Sequence, residues 1–579
     1  MWRTLRPLLP YLVRYRRSLI IGMVALFLKD IAGACLPLII RRAVDDIAAG
    51  AALDRVLWLC GALLGASLVK GLLQFTMRYV LIGVSRDIEY DLRNDLFARL
   101  VSLSPDFYQR NRTGDIMARS TNDLNAVRMM VGPALMYWTE TSLTFVLAVG
   151  IMMSFDPGLA LLAILPAPAV SLAVILFGQR IHDRFEKIQA MFSDISSRVQ
   201  ENFSGMRMIR AYVQEEAEMR RFETLNRAYI GENIRLARIS GAFQPLLESL
   251  IGLTFLIVLW AGGTRVLDGR LSLGVFVMFH TYMGMLIWPM IALGWVVNLM
   301  QRGTASMGRI NQLMDERPSI AGPASPRTVP FPAAGIEFDN AGVHYPAGTA
   351  LDGIRLSIEA GTTVAIVGHT GCGKSTLVSL IPRLLDPTSG VVRLGGRDLR
   401  EYSPCELRRR IGFVPQETFL FSATLGQNIA FGVEHATPGQ IEAAAEIAGL
   451  AADIAGFPEG YETMVGERGI TLSGGQKQRT AIARALLRDP DILILDDALS
   501  AVDTLTEERI LTGLAGVFRG RTVILISHRV STVRQADRIV VLEKGRIVEQ
   551  GTHSQLLAHG GYYAELYQKQ LLEEELDAI

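Results

Sequence analysis

Six apolar stretches constrain this chain most, because each is long enough to cross the hydrocarbon core of a bilayer as a helix. Such a helix needs about 20 residues. The stretches are residues 18–40, 54–78, 133–154, 158–178, 242–263 and 274–300. A chain of 579 residues that is 50% hydrophobic and 20% charged is too apolar for one ordinary soluble enzyme. Nearly all its long apolar runs precede residue 302, so the sequence predicts an all-α membrane domain followed by a soluble half.

Basic residues ahead of the first stretch predict its orientation. It is preceded by Arg3, Arg6, Arg14, Arg16 and Arg17, and the positive-inside rule places such residues in the cytoplasm. An even number of spans returns the chain to the same side, so we expect both termini to be cytoplasmic. The basic segment Trp2–Tyr15, with interspersed Leu and Trp, predicts a short helix in the membrane interface. A disordered basic tail is the alternative.

Charge and cysteine content argue against two kinds of function. The formal net charge is +1, which gives no broad electrostatic reason to bind nucleic acid. The four cysteines are too few and too scattered for a disulfide framework or a CxxC metal site. We therefore expect no nucleic-acid partner, and the lipid bilayer is the first partner predicted.

Two long gaps between the stretches are also predicted to be helical. Residues 84–101 and 179–200 keep apolar positions at three- and four-residue spacing, the period of an amphipathic helix. The simplest interpretation is that helices continue beyond the bilayer on the cytoplasmic side, turn near residues 111–115 and 204–212, and return. Ordinary polar loops are the alternative, although loops of this length are uncommon.

Ionisable and aromatic side chains within the stretches indicate an interior surface. Charged groups in lipid are costly and are expected to face the bundle interior or a water-filled cavity; the stretches contain Lys29, Asp30, Lys70, Glu140 and Glu248. Lys29 and Asp30 are neighbours that point in different directions on a helix, so they are not expected to pair. The sixth stretch is rich in aromatic residues and Met, from Phe276 to Trp295. Such residues suit an adaptable pocket or simple helix packing, and the choice stays open. His280 is expected to be a hydrogen-bonded interior histidine.

Prolines mark the boundary between the two halves. Residues 317–335 contain Pro318, Pro323, Pro326, Pro330 and Pro332, a composition that interrupts both helix and strand. The predicted organisation is a membrane domain at 1–316, a linker at 317–335 and an α/β domain at 336–579.

A phosphate-binding loop opens the C-terminal domain. The run Gly368-His369-Thr370-Gly371-Cys372-Gly373-Lys374-Ser375-Thr376 follows the apolar segment Val364–Val367 and precedes a helical pattern. Strand, P-loop and helix in this order form a specific motif. Its glycines turn backbone amides toward phosphate, Lys374 reaches the β and γ oxygens, and the Ser375 hydroxyl is a ligand for Mg²⁺. Asp496, at the end of the apolar strand Ile492–Leu495, is predicted to supply the carboxylate on the Mg²⁺ side.

A second anion site follows from Leu472-Ser473-Gly474-Gly475-Gln476. A serine and two glycines at a helix start suit an anion, yet the chain already has a P-loop. The arrangement makes sense if the second site completes the nucleotide pocket of another subunit.

With six spans and these motifs, the whole chain resembles a half-transporter of the ATP-binding cassette (ABC) exporter family. Of the motifs, Leu472–Gln476 is the most specific to such cassettes. The resemblance implies a multidomain fold: an all-α six-helix transmembrane domain of the ABC exporter type plus an α/β P-loop nucleotide-binding domain. It also implies ATP and Mg²⁺ as cofactors and a second half-transporter as partner.

The resemblance assigns roles to further residues. Tyr345 matches the aromatic residue that stacks on adenine, and Gln416 matches the glutamine that senses the γ-phosphate and Mg²⁺. His528 matches the switch histidine that contacts the γ-phosphate. Glu467-Arg468-Gly469 matches a segment that contacts the cytoplasmic loops, and Ser500–Asp503 a loop that crosses the dimer interface. Residues 111–120 and 204–213 match the coupling helices that dock on the cassettes.

One position departs from the family pattern. After Asp496 the family has a glutamate that polarises the attacking water, and this chain has Asp497. The shorter side chain withdraws the carboxylate, and general-base catalysis depends on reach. The site is therefore expected to bind ATP and hydrolyse it slowly, as in one half of a heterodimeric multidrug-type exporter. A homodimer with two weak sites is the alternative.

The expected function is ATP-driven export of hydrophobic or amphipathic small compounds across a bacterial inner membrane. Two alternatives remain on the same frame. One is a lipid flippase, peptide exporter or siderophore transporter. The other is a non-pumping regulator that senses ATP.

Overall fold

The computed structural model describes residues 2–328, 335–345, 348–466, 469 and 472–577. These residues divide into two compact units. The membrane unit comprises Met1–Ser102 and Asn111–Glu316, and the C-terminal unit comprises Leu103–Arg110 and Arg317–Ile579. The short segment Leu103–Arg110 thus groups with the C-terminal unit, although the sequence had placed it in the membrane domain. Of the linker, residues 329–334 lie outside the described part of the chain.

Long helices make up the membrane unit. Its α-helices are α1 Trp2–Leu5, α2 Leu9–Arg14, α3 Arg16–Ala48, α4 Leu53–Ser102, α6 Thr113–Ala118, α7 Leu124–Met129, α8 Leu135–Phe155, α9 Pro157–Ile164, α10 Ala167–Ser204, α11 Met206–Ala211, α12 Glu215–Leu267 and α13 Leu273–Asp315. Two π-helical turns, Arg119–Asp123 and Met130–Ala134, join α6, α7 and α8 into one continuous rod.

Among the described residues, six helical segments are long and apolar enough to cross a membrane, which confirms the predicted six-helix domain. They are Arg16–Ala48, Leu53–Ser102, Thr113–Phe155, Pro157–Ser204, Glu215–Leu267 and Leu273–Asp315. Each contains one predicted stretch, and several run far beyond it. Helix α4 has 50 residues and α12 has 53, so at about 1.5 Å per residue each is far longer than the roughly 30 Å of hydrocarbon to be crossed.

The N-terminal segment is helical and bound to the membrane unit, which excludes the disordered tail. Tyr11 donates to Asp95 at 2.6 Å, and Arg14 forms an ion pair with Asp91 at 2.6 Å. The amide of Asn311 donates to the Thr4 carbonyl at 2.8 Å. The segment is therefore anchored at both of its helices, α1 and α2.

The sixth spanning helix packs more than it exposes. Met278, Phe279, Tyr282 and Met283 are buried in a cluster with α8, α9 and α12, and the Tyr282 hydroxyl donates to the Ala34 carbonyl at 2.6 Å. For these four residues packing is the correct interpretation. In contrast, Trp288 and Trp295 keep 55% and 45% of their surface exposed.

Two expectations about polar groups in the membrane unit are wrong. Lys29 does pair with Asp30, at 2.8 Å, and with Glu140, at 2.5 Å. The long lysine side chain bends back to its neighbour, so diverging Cα–Cβ directions do not prevent the contact. His280 lies between Phe255 and Phe276, and within the described residues its Nδ1 has no hydrogen-bond partner. Aromatic packing therefore holds this ring in place of the expected hydrogen bond.

Two sheets form the frame of the C-terminal unit, as expected for an α/β domain. An antiparallel sheet has the order β2-β1-β4-β5, and a largely parallel sheet has the order β10-β9-β3-β8-β7-β6. The strands are β1 Ile336–Tyr345, β2 Gly348–Ile358, β3 Thr363–Val367, β4 Ser389–Leu394, β5 Arg397–Asp398, β6 Ile411–Val414, β7 Ile492–Asp496, β8 Thr522–Ile526, β9 Arg538–Glu543 and β10 Arg546–Gly551.

The C-terminal unit also contains α-helices, most of them short. They are α5 Pro105–Arg110, which belongs to this unit, then α14 Lys374–Ser379, α15 Pro404–Arg409, α16 Leu425–Ala430, α17 Pro438–Ile447, α18 Ala451–Ala455, α19 Gly474–Leu487, α20 Thr504–Phe518, α21 Val530–Val533, α22 His553–His559 and α23 Tyr562–Asp577. Helix α5 is tied to the linker, because Ser319 donates to Asp106 at 3.0 Å and the Ile320 amide donates to the Ser104 hydroxyl at 3.1 Å.

Strand register gathers the sequence motifs at one edge. Strands β3, β8 and β7 are adjacent and parallel, with Ile366 opposite Ile526 and Asp496 also opposite Ile526. All three are buried apolar strands, which is typical of a sheet covered on both faces. Their carboxyl ends therefore present the P-loop, Asp496–Asp497 and Ser527–His528 side by side, where ligands bind in open α/β sheets.

Candidate nucleotide-binding site

The P-loop connects β3 to α14 and depends on glycines at two tight points. Gly368 has φ +153° and Gly373 has φ +104°. A Cβ on Gly368 would lie 2.2 Å from the Leu542 carbonyl oxygen, and one on Gly373 would lie 2.5 Å from the Ala350 carbonyl oxygen. Both the backbone conformation and the space exclude a side chain at these positions.

Lys374 lies inside this loop. It is buried, and its ammonium donates to the carbonyl oxygens of Gly368 at 2.9 Å and His369 at 3.0 Å. The curvature of the loop is thus fixed around a single positive charge. Cys372 is buried beside it, with Sγ 3.9 Å from the ammonium. Thr370 and Gly371 complete the loop, while Ser375 and Thr376 lie in the first turn of α14.

Ser375 and Asp496 form the predicted pair of oxygen ligands. Their side chains are hydrogen-bonded, and Asp496 is only 3% exposed. Burial raises the pKa of Asp496 above its usual value, with a further increase from the Asp497 charge, while Ser375 and Lys374 act in the opposite direction. A buried carboxylate beside a hydroxyl is a hard oxygen donor set of the kind that Mg²⁺ prefers.

Asp497 follows immediately in a left-handed backbone conformation, with φ +50°. Its amide donates to the Ile526 carbonyl at 2.9 Å, and its own carbonyl accepts from the Ser500 hydroxyl at 2.9 Å. Aspartate tolerates this conformation better than most residues. The chain therefore turns sharply at the end of β7 and holds the Asp497 side chain, which is half-buried, at the edge of the site.

His528 is close enough to these groups to interact with them electrostatically. Burial lowers the pKa of its imidazole, and the positive charge of Lys374 lowers it further, while Asp497 and Asp496 oppose the shift. The ring is therefore neutral at physiological pH, so that one nitrogen is a donor and the other an acceptor.

Two of the predicted site residues lie apart from this cluster. Tyr345 is 45% exposed at the end of β1 and pairs with Gly348; strand β2 then leads to Ala350, whose carbonyl faces Gly373. Gln416 is exposed two residues beyond β6, at the carboxyl end of the outermost strand. Tyr345 thus ends the neighbour of a strand that approaches the P-loop, and Gln416 lies at the same sheet edge as the P-loop, but the structure gives neither residue a bond to Lys374 or Asp496.

The segment Ser473–Gln476 is built as a capped helix start. The Ser473 hydroxyl accepts from the Gln476 amide at 3.2 Å, and the Gln476 side chain accepts from the Ser473 amide at 3.0 Å. This reciprocal capping box satisfies two amides of the first turn. Gln476 also donates to Asp453 at 2.9 Å. Ser473 and Gly474 are exposed, and the neighbours of this segment are Asp453 and Ala501.

Three residues that the sequence did not identify connect the loops of the site. Gln478 accepts from the Ala501 amide at 2.9 Å and donates to the Ser500 hydroxyl at 3.0 Å. Arg529 donates to the Val502 carbonyl at 3.1 Å and pairs with buried Glu507. Gln570 bonds to the carbonyl of His528 and the amide of Val530. A buried glutamine on a helix that follows two glycines is a signal that could have identified Gln478.

Of the segment assigned to the cytoplasmic loops, Glu467 and Arg468 lie outside the described residues.

The residues present fit a nucleotide with its metal ion. The glycine cradle at Gly368 and Gly373 leaves backbone in close reach of a phosphate, Lys374 supplies a buried positive charge, and the Ser375–Asp496 pair supplies oxygen ligands. Each of these groups is provided by the strand edge described above.

Two family models match the chain, one in each half. The model for the ABC transporter transmembrane region matches residues 19–290, and the ABC transporter model matches residues 351–500. Together they cover most of the chain.

Known proteins with both halves are similar along almost the whole length. A probable multidrug resistance ABC transporter ATP-binding/permease protein, YheI of Bacillus subtilis, is 38% identical over 97% of this chain and 96% of its own. The multidrug resistance-like ATP-binding protein MdlA of Escherichia coli is 39% identical over 90% of this chain and 88% of its own. An ATP-dependent lipid A-core flippase of Syntrophus aciditrophicus is 35% identical over 96% and 92%.

A solved structure shares the fold. The structure of a bacterial Atm1-family ABC exporter with ATP bound superposes with a TM-score of 0.79 at 31% identity, and the match covers 96% of this chain and 98% of that one. With its six spanning helices and one ATP-binding domain, this chain is therefore a half-transporter of the ABC exporter family, a multi-pass membrane ATPase that couples ATP hydrolysis to transport.

Proposed function

We propose that this chain is the weakly hydrolytic half of a heterodimeric exporter that moves hydrophobic or amphipathic compounds across a bacterial inner membrane. Its P-loop binds ATP, its own site hydrolyses ATP slowly, and its Ser473–Gln476 segment completes the fast site of a partner half. The observation that carries the proposal is Asp497, an aspartate where the family has glutamate, next to an otherwise complete set of nucleotide ligands.

ATP binding rests on the P-loop cluster. Lys374 exchanges its bonds to the Gly368 and His369 carbonyls for bonds to phosphate oxygens, and the loop amides add further donors. Ser375, Asp496 and Gln416 would hold Mg²⁺, which supplies charge neutralisation on the phosphates when bound. Tyr345 stacks on the adenine; it lies exposed at the end of β1, which pairs with β2, the strand whose Ala350 carbonyl approaches the P-loop.

Slow hydrolysis follows from the geometry of Asp497. Its backbone is fixed by the bonds from its amide to Ile526 and from Ser500 to its carbonyl, so the carboxylate cannot advance by a shift of the main chain. It therefore stops about one methylene short of the position that a glutamate reaches. His528, neutral at physiological pH, contacts the γ-phosphate from the neighbouring loop.

Completion of a partner's site follows from the exposure of Ser473 and Gly474. The start of α19 carries the positive end of the helix dipole, and Ser473 and Gly474 are exposed there. A γ-phosphate bound by a second cassette is the anion that this surface suits. The intact start of α19 therefore supports ATP hydrolysis at the partner's site, while Asp497 keeps hydrolysis at the chain's own site slow.

Transport of amphipathic compounds rests on the relatives and on the sixth spanning helix. Two similar proteins carry multidrug resistance in their names and a third is named a lipid A-core flippase. Trp288 and Trp295 are exposed in the membrane unit and offer large, adaptable aromatic surfaces to such compounds. A lipid flippase is the second candidate, favoured by the third relative.

The test is ATPase activity of the purified chain in lipid. We expect the wild-type chain alone to be nearly inactive, and Asp497→Glu to raise its turnover about tenfold or more, because a positioned base contributes about 10²–10⁴-fold. The wild-type chain together with a candidate partner half that carries the glutamate should form a heterodimer that hydrolyses ATP rapidly at the partner's site. Fast turnover by the wild-type chain as a stable homodimer would overturn the proposal.

A matched pair of variants tests the contribution to the partner. Ser473→Ala should abolish turnover in the heterodimer by removing the hydroxyl at the helix start. Thr437→Ala is the control, because Thr437 caps α17 through the same kind of capping box with Gln440. If both variants reduce turnover equally, loss of a cap explains the effect and Ser473 has no specific role.

Export of a cationic dye and flipping of a labelled lipid then distinguish the two substrate classes.

A further inference from the structure

The C-terminal helix α23 contacts two loops of the nucleotide site at once. Near its start, Tyr562 packs edge-on against His369 of the P-loop, with ring centroids 4.8 Å apart. Two turns later, Gln570 bonds to the loop that carries His528. These residues are about 12 Å apart along the helix, so a single rigid element spans the P-loop and the switch-histidine loop.

Gln570 holds the backbone on both sides of Arg529, directly after the histidine. Its side-chain amide donates to the His528 carbonyl, and its side-chain oxygen accepts from the Val530 amide at 2.7 Å. One primary amide thus bonds to a donor and an acceptor two residues apart. This fixes the direction of the peptide that follows His528, and with it the position of the ring.

The start of α23 is itself anchored to the sheet. Glu549, on the edge strand β10, accepts from the Tyr562 amide at 2.6 Å and from the Tyr563 amide at 3.4 Å. The buried Tyr563 hydroxyl bonds to His553 at 2.7 Å. Because the first turn is fixed in this way, Gln570 contacts the histidine loop from a supported position and not from a frayed terminus.

We propose that Gln570 is a positioning residue for His528, and that α23 thereby sets how well the site distinguishes ATP from ADP. The inference rests on the proposed contact of His528 with the γ-phosphate. Since that phosphate is present in ATP and absent in ADP, displacement of His528 weakens the binding of ATP selectively.

The experiment compares two affinities in one protein. The full-length chain in lipid nanodiscs with Mg²⁺ is titrated with a non-hydrolysable ATP analogue and, separately, with ADP. We expect Gln570→Ala to weaken the ATP analogue about fivefold, the worth of roughly one hydrogen bond, and to leave ADP unchanged. Gln570→Glu keeps the size and the acceptor but loses the donor to His528, so it should behave like Gln570→Ala. Gln568→Ala, an exposed glutamine on the same helix, should change neither affinity.

The His528→Ala variant separates the possible failures. If it weakens the ATP analogue selectively and the Gln570 variants do not, the positioning role is overturned while the role of His528 stands. If His528→Ala does not weaken the ATP analogue selectively, the positioning role of Gln570 and the proposed role of His528 are both overturned. Equal weakening of ATP analogue and ADP by Gln570→Ala and Gln570→Glu would show a general effect on the fold and would also overturn the inference.

Discussion

At the scale of single residues, the site is defined as much by backbone conformation as by side chains. Asp497, Gly368 and Gly373 all have positive φ, and the Gly368 carbonyl accepts from the buried ammonium of Lys374. A positive φ costs an ordinary residue about 1–2 kcal/mol, so these positions are constrained before any ligand contact is considered. The P-loop and the turn after β7 are therefore sensitive to substitutions that look conservative by size.

A pair of glycine substitutions separates the cost of backbone strain at positive φ from the cost of a steric clash by an added Cβ. Gly373→Ala adds a Cβ 2.5 Å from the Ala350 carbonyl oxygen at φ +104°, whereas Gly361→Ala adds one at φ +77° with no atom within 4 Å. We expect Gly361→Ala to cost about 1–2 kcal/mol of stability with unchanged nucleotide affinity. Gly373→Ala should weaken ATP binding at least tenfold. Binding of a fluorescent ATP analogue measures the nucleotide affinity, and the melting temperature measures the stability. Unchanged binding by Gly373→Ala would contradict the steric argument.

Cys372 gives a pH-dependent readout of the same loop. Burial raises the pKa of its thiol above the usual value, and the opposing effect of Lys374 is smaller. Because the thiolate is the reactive form, maleimide labelling should keep rising about tenfold per pH unit between pH 7 and 9, without a plateau. The measurement uses a variant in which Cys35, Cys60 and Cys405 are serine. ATP should slow the labelling, and a plateau below pH 8 would contradict the shift.

At the scale of elements, the sequence predicted the helices and strands whose formation depends on residues close together in the chain. The six spans, the P-loop helix and the strand before Asp496 follow from hydropathy and motif, because each is encoded within about 25 consecutive residues. The bonds of Gln478, Arg529 and Gln570 join residues up to 42 positions apart, and depend on packing that no short window contains. The Lys29–Asp30 pair was missed for another reason: a flexible side chain overrode the geometry of its backbone.

The turn between α8 and α9 illustrates two contributions that one aspartate makes. Asp156 caps α9 by accepting from the Leu159 amide at 2.9 Å, and pairs with Arg265 of α12 at 2.6 Å. Asp156→Asn keeps the cap and loses the ion pair, while Asp156→Ala loses both. We expect Asn to cost at most about 1 kcal/mol and Ala about 1 kcal/mol more. Thermal unfolding in detergent measures the difference, and equal melting temperatures for the two variants would exclude the cap.

At the scale of the whole molecule, the topology is open to a direct test. The proposal of cytoplasmic termini places Cys405 inside the cell and the turn between α3 and α4 outside. In a background without other cysteines, an impermeant maleimide should label Ala51→Cys in right-side-out vesicles and Cys405 only in inverted vesicles. Both side chains are accessible enough to react. The opposite pattern would reverse the orientation and with it the direction of transport.

The assignment of Leu103–Arg110 to the C-terminal unit has a mechanical consequence. The backbone passes between the two units at three places, after Ser102, after Arg110 and after Glu316. The helices that meet these crossings are α4, the rod that begins with α6, and α13, which carry the second, third and sixth spans. Covalent bonds therefore tether three of the six spans to the ATPase unit. Any displacement of that unit therefore acts on these three spans directly through the chain, whereas the first, fourth and fifth spans have no such direct connection to it.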